Sequence, residues 1–506
     1  MAENEIYFQI INYIQKNKSY QIKIVILGCL IWGVFDIFSL TMGLLELPPN
    51  IIIYDSIKNS TVERILKAED CSNSNFTLSP IQPGHSLVID FKIYCNKFLI
   101  SLMGSFNFVG FFLATILLPF ILDNYGRKKP IVVFEFVFSI CILLMIITKN
   151  IYVIIFLIFC CGFSNLISHI AIYMLVGEIT DKSVRATYFI FIFNAYDFFG
   201  ILFTLEYYFI NDWKLIFLIN VIIGFVLALF CMYFIKESPR FLLINKDKVF
   251  IKSMISKLEM HDKKALLPIK EKSSDSNSIY RKIVESSEQI IIKDELEIIE
   301  NLNTLGEIVQ TDINKTKSIF DFILNKSDDK RNFFILCIIW FFTSSTFYSI
   351  LISIKNLAGN VYLITIIIFM LQIFCNLGSA QMMNNKNLSR VRSINILEAC
   401  CVLTLLCLII FSNIPLAKIT FVVCLRLFVA MIYCIIYICS VEFYPTEFRA
   451  TCLSVNSICG RLGASIIPFF IEYLGDYYYV YCLSVFILCF ILSFFLTEKN
   501  YLEEEI

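Results

Sequence analysis

Charge is scarce in this chain, and histidine scarcer. Only 17% of the 506 residues are Asp, Glu, Lys or Arg, and three are His. Acidic and basic residues balance at 42 each, which leaves no surplus positive charge to hold a nucleic acid. No Gly-rich loop of the phosphate-cradling kind is present, nor any His/Cys cluster with metal-ligand spacing. No plausible nucleophile stands out, so neither an enzyme nor a bound cofactor is expected. The leader MAENEIYFQIINYIQKNKSYQIK lacks the pattern of a removable signal peptide, and the first apolar span is read as an uncleaved insertion signal.

What fills the chain is apolar. Hydrophobic residues make up 58% and mean hydropathy is +0.75, against about 45–50% apolar in soluble domains. So much Phe, Ile and Leu points to an integral membrane protein. A spanning helix needs roughly 20 mostly apolar residues, and lipid offers the backbone no other open architecture than the helix. By that rule spans fall near 22–45, 99–122, 130–148, 151–176, 187–207 and 214–235. A second set falls near 332–352, 360–382, 393–412, 415–441, 450–472 and 477–497. The expected organisation is an all-α membrane protein of twelve spans: a first half over 1–235, a central loop over 236–331, and a second half over 332–506.

Basic residues gather on one side: Arg127, Lys128, Lys129, Lys182, Arg185, Lys386, Arg390, Arg392 and Arg449. Such excess marks the cytoplasmic face, so both termini and the central loop are expected inside the cell. The loop 46–97 then falls outside. It carries two glycosylation sequons, at Asn59 and Asn75. It also holds Cys71 and Cys95, for which a disulfide is expected. The remaining cysteines of the 19 sit mostly in apolar runs, where thiols act as small hydrophobes. The central loop is polar, with room for a helix near 281–300.

One charged phrase occurs twice. GEITDKSVRAT (177–187) and VEFYPTEFRAT (441–451) each place a glutamate seven residues before an arginine, with Ala-Thr following. Glu442 and Arg449 stand 264 positions after Glu178 and Arg185. Glu135 and Glu398 also correspond, each nine residues after its loop position (Gly126, Ser389). Two repeated six-helix halves are a transporter architecture, with the substrate between them near the midplane.

The loop DNYGRKK resembles the cytoplasmic motif of the major facilitator superfamily, through Asp123, Gly126, Arg127 and Lys128. Pro119 and Asn124 depart from the usual Gly and Arg. KESPRFLL, with Glu237 and Arg240, resembles an element shared by sugar porters and solute carrier family 22. The long first loop, VEFYPTEFRAT, NDWKLIFL and WFFTSSTFYS are most similar to family 22, the organic ion transporters. The resemblance implies the major facilitator fold and alternating-access transport of a small organic ion across the lipid bilayer, in the plasma membrane. The coupling mode, with or without a counter-ion or exchange substrate, stays open. The alternatives are a sugar-porter-like carrier of a neutral solute, and a non-transporting receptor or scaffold of the same fold.

Arg461 lies twelve residues along its helix from Arg449, or about 18 Å at 1.5 Å per residue. That is near mid-membrane, where an arginine is a functional-site hypothesis by default. In family 22 the matching position is usually Arg in anion carriers, which implies an organic anion substrate. The eighth-helix Lys of anion carriers is matched here by Asn376. Arg426 either compensates or pairs with an acid. The resemblance places Phe347 and Tyr348, with Trp340 on the same helix, at the substrate. Asp123, Arg127, Glu178, Arg185, Glu237, Arg240, Arg390, Glu442 and Arg449 are expected to form a cytoplasmic latch between the halves. Glu135 and Glu398 are expected to pair with cytoplasmic arginines rather than carry a proton.

Overall fold

The computed structural model describes residues 18–55, 60–66, 70–72, 76–78, 86–180, 182–244, 327–384, 388–444 and 446–497. Its mass is a bundle of long helices, and each expected span becomes one. Helix 1 covers Lys18–Val34 and Ile37–Leu45, interrupted at Phe35 and Asp36. Helices 2 to 6 are Lys97–Tyr125, Lys128–Ile147, Ile151–Ile179, Lys182–Ile210 and Trp213–Phe234. Helices 7 to 12 are Ser327–Ser353, Val361–Asn384, Arg390–Ile410, Pro415–Glu442, Thr446–Leu474 and Tyr478–Ser493. Eleven are long and apolar enough to cross a membrane; helix 12 is a shorter apolar helix.

Polar residues at the ends start these helices. Asn96, Asn150, Asp212 and Ser389 each accept a bond from a first-turn amide, which satisfies a donor that the helix cannot. Pro415 opens helix 10, where its missing N–H costs nothing. Outward positions carry exposed Phe156, Ile147, Phe374 and Leu403, the surface that hydrocarbon solvates. Among the described residues of the first loop, β1 (Asn50–Asp55) pairs antiparallel with β2 (Ser60–Ile65) and β3 (Phe76–Leu78). Cys71 is bonded to Cys95. Asn59, Asn75, Pro445 and most of the central loop, including 281–300, lie outside the described residues.

The repeat seen in sequence reappears in packing. Helix 2 packs on helix 4, and helix 8 on helix 10. The pairs 3 with 6 and 9 with 12 match, as do 1 with 5 and 7 with 11. Across the divide, helix 2 runs against helix 11 and helix 8 against helix 5. Each cross-divide pair is thus the repeat of the other. At one end, here the closed end, glycines let the halves come into close contact. A Cβ on Gly43 would sit 2.2 Å from the Leu351 carbonyl, and one on Gly104 3.1 Å from Pro468. The other end carries the basic loops.

Candidate transport cavity

Between the halves lies a cavity of about 510 Å³. It extends to Arg390 and Glu442 at the basic end. Its walls are aromatic: Trp32, Tyr173 and Phe193 from the first half face Phe347, Tyr348 and Tyr433 from the second. Phe347 stacks on Tyr433, with centroids 5.0 Å apart, and meets Tyr348 edge-on at 5.1 Å. Such faces suit flat or amphipathic solutes. Trp340 does not line the cavity. Its ring is buried one layer back, edge-on to Tyr437 at 4.4 Å, and its Nε1 donates to Ser440 Oγ at 2.9 Å. It props the wall rather than forming it.

Two buried arginines stand behind the second-half wall. Arg461, only 6% exposed, donates from Nη1 to the Tyr433 hydroxyl at 2.9 Å, while its Nε finds no partner. Arg426 is fully buried. Its Nε donates to Gln372 Oε1 at 2.9 Å and its Nη1 to the Phe347 carbonyl. Its guanidinium carbon lies 3.4 Å from the Phe347 centroid, and Nη2 has no partner. Arg426 therefore does not pair directly with an acid.

An acid not singled out from sequence faces them. Asp197, on helix 5, lines the cavity and is 1% exposed. Asn376 crosses the divide to donate to its Oδ2 at 2.9 Å and to Asn194 Oδ1 at 3.0 Å; Asp197 Oδ1 has no partner. The available signal was an aspartate in mid-span, which marks a site by its cost in lipid. A second missed cluster lies behind Trp32. Asp36, at the break in helix 1, sits 3.5 Å from His169 Nδ1 and accepts from Asn165 Nδ2 at 2.9 Å. Trp32 stacks on the His169 ring at 4.9 Å.

The charged helix ends pair within each half. Arg127 bridges to Glu178 at 3.0 Å, and Arg390 grips Glu442 with two bonds of 3.0 and 3.2 Å. Glu237 accepts from the backbone amides of Arg127, Lys128 and Ser238 at 2.7, 3.3 and 2.9 Å. Gly126 makes this possible, since at φ 80° it turns the chain and leaves room for the carboxylate. Arg185 does not reach Glu178 but donates to the Thr180 carbonyl at 2.9 Å. Asp123 is exposed. The side chains of Arg240 and Arg449 lie outside the described residues. Glu135 and Glu398 are not paired with arginine. Both are fully buried, with Cys231 beside Glu135 and Ser493 beside Glu398 as their polar neighbours.

The model of the Major Facilitator Superfamily matches residues 72–468. The chain belongs to this superfamily. It is a multi-pass secondary transporter and not an enzyme. Solute carrier family 22 member 21 of Mus musculus is 23% identical over 425 residues, covering 82% of this chain and 69% of the relative. Organic cation/carnitine transporter 2 of Homo sapiens is 24% identical over 422 residues, with the same coverage. Among solved structures, the inward-open xylose transporter XylE from E. coli superposes with TM-score 0.62 at 13% identity, over 95% of this chain and 96% of that one. At that identity the likeness establishes the fold alone.

Proposed function

We propose that this superfamily member moves small organic ions by alternating access, with organic anions favoured. The observation that carries the reading is the pair of buried guanidiniums beside an aromatic cavity, each with an N–H left unpartnered. A buried polar group without a partner costs about 1–3 kcal/mol. A carboxylate reaching past Tyr433 would supply the missing acceptors, and guanidinium geometry favours it. A neutral sugar would leave the charges uncompensated. A second reading is supported by Asp197, a residue of the same cavity wall with one buried oxygen unpartnered, which suits an organic cation.

The basic end is assigned to the cytoplasm by charge. The Cys71–Cys95 disulfide supports the same orientation, because such bonds persist on the extracellular side. In the plasma membrane the cavity then reaches towards the cell interior. The charged helix ends, including Arg185 and Arg449, form the surface that closes in the opposite state.

Uptake of a panel of organic anions and cations into cells expressing the protein tests this. Arg461→Asp should cut anion uptake at least tenfold, as loss of a charge-assisted bond of about 1.5–3 kcal/mol implies. Asp197→Asn should leave anion uptake standing. If Asp197→Asn abolishes uptake of a cation while Arg461→Asp spares it, the second reading holds. Transport of no panel member would favour a receptor or scaffold.

A further inference from the structure

At the closed end, away from the cavity, a charged cluster ties the halves together. Lys355, in the short turn after helix 7, reaches Glu46 at 2.6 Å and Glu472 of helix 11 at 2.5 Å. Glu46 ends helix 1 and belongs to the first half; the other two belong to the second. Lys355 and Glu46 are nearly fully buried, at 8% and 3% exposure. The arithmetic does not balance: two carboxylates share one ammonium. Glu46 Oε1 is buried with no hydrogen-bond partner. Helix 2 presents Gly104 to it, whose added Cβ would lie 2.9 Å from that oxygen. Among the described residues, the charged groups acting on Glu46 are Lys355 and Glu472.

From this geometry we infer that Glu46 is a proton-binding site that latches the outer end of the transporter. When the outer end is shut, a proton on Glu46 removes the excess negative charge and gives Oε1 a hydrogen in place of an unmet charge. Lys355 keeps Glu472 as its ionic partner. When the outer end opens, Glu46 meets water and releases the proton. In the closed arrangement burial, opposed by Lys355 and reinforced by Glu472, pushes the Glu46 carboxyl up to about 7. An exposed glutamate titrates near 4.3. The closed form therefore binds the extra proton. Its advantage is complete below the exposed value and is lost as pH rises through about 7. Acid outside the cell holds the outer end shut. The inference rests on the alternating-access reading, and its readout needs no substrate, so it can fail while the uptake reading stands.

The test is backbone hydrogen exchange in 42–47 and 351–357, on the full chain in nanodiscs, corrected for the intrinsic effect of pH. In the wild type, protection should fall by up to about tenfold per pH unit between pH 5 and 7, as one linked proton requires. Glu46→Gln should keep high protection throughout, independent of pH. Glu472→Gln, which leaves a balanced pair, should move the transition to lower pH. Unchanged wild-type protection across this range would overturn the inference. So would a Glu46→Gln variant that follows the wild-type pH dependence.

Discussion

At the scale of residues, single positions decide what the helix ends and cavity walls can hold. Gly126 shows how tightly. A methyl group there would meet the Glu237 carboxylate carbon at 2.6 Å, in a backbone conformation of φ 80° that side chains avoid. Gly126→Ala should cost about 1–3 kcal/mol and lower the thermal midpoint of the purified protein; Glu237→Ala should also lower it, by uncapping three amides. Some of this was legible in advance. The depth of Arg461 followed from counting turns, because an arginine so far from either helix end has few places to go. Asp197 was legible only as a costly mid-span charge; its partner Asn376, on the other half of the chain, was not. Glu46, Lys355 and Glu472 look like ordinary end charges until folding brings them within 2.6 Å. Trp340 misled because an aromatic on a cavity helix says nothing about which face it takes.

At the scale of elements, helix existence was the readable part. Length and apolarity alone place each span, because runs of about 20 apolar residues suit a helix that satisfies its own backbone in hydrocarbon. The break in helix 1 was hidden: Phe35 and Asp36 are neither proline nor glycine. Close approach between elements is set by small residues. Gly43 lets helix 1 touch the Leu351 backbone at the closed end, where a Cβ would intrude to 2.2 Å. Gly43→Leu should prop that end open and so shut the basic end. The natural probe is Cys434, a partly exposed thiol in the cavity wall. Its alkylation by a hydrophilic maleimide, followed by peptide mass spectrometry, should slow several-fold in Gly43→Leu. Equal labelling rates would mean that this contact does not hold the closed end.

At the scale of the whole molecule, the charge pairs of the basic end belong to separate bodies. Arg127 pairs with Glu178 in the first half and Arg390 with Glu442 in the second. Arg127→Gln and Arg390→Gln should therefore be additive in a thermal-stability cycle, within about 0.5 kcal/mol. A larger coupling would show that the halves share these charges in the resting state. The repeated packing of helices 2 with 11 and 8 with 5 carries both bodies past each other. Helix 1 is where that motion meets the backbone. Its inner part packs on helices 4, 5 and 6, and its outer part on helices 5 and 7. Between them the hydrogen-bond ladder changes pitch: Phe35 N still reaches Ile31 O at 3.2 Å, but Asp36 N turns back to Gly33 O at a long 3.4 Å. A beam with a joint bends at the joint. A swing of the outer segment with helix 7 would bend helix 1 at Asp36, the residue beside His169. Mechanical travel at the outer end would then be felt, about two helical turns further in, as a change in the surroundings of one buried carboxylate.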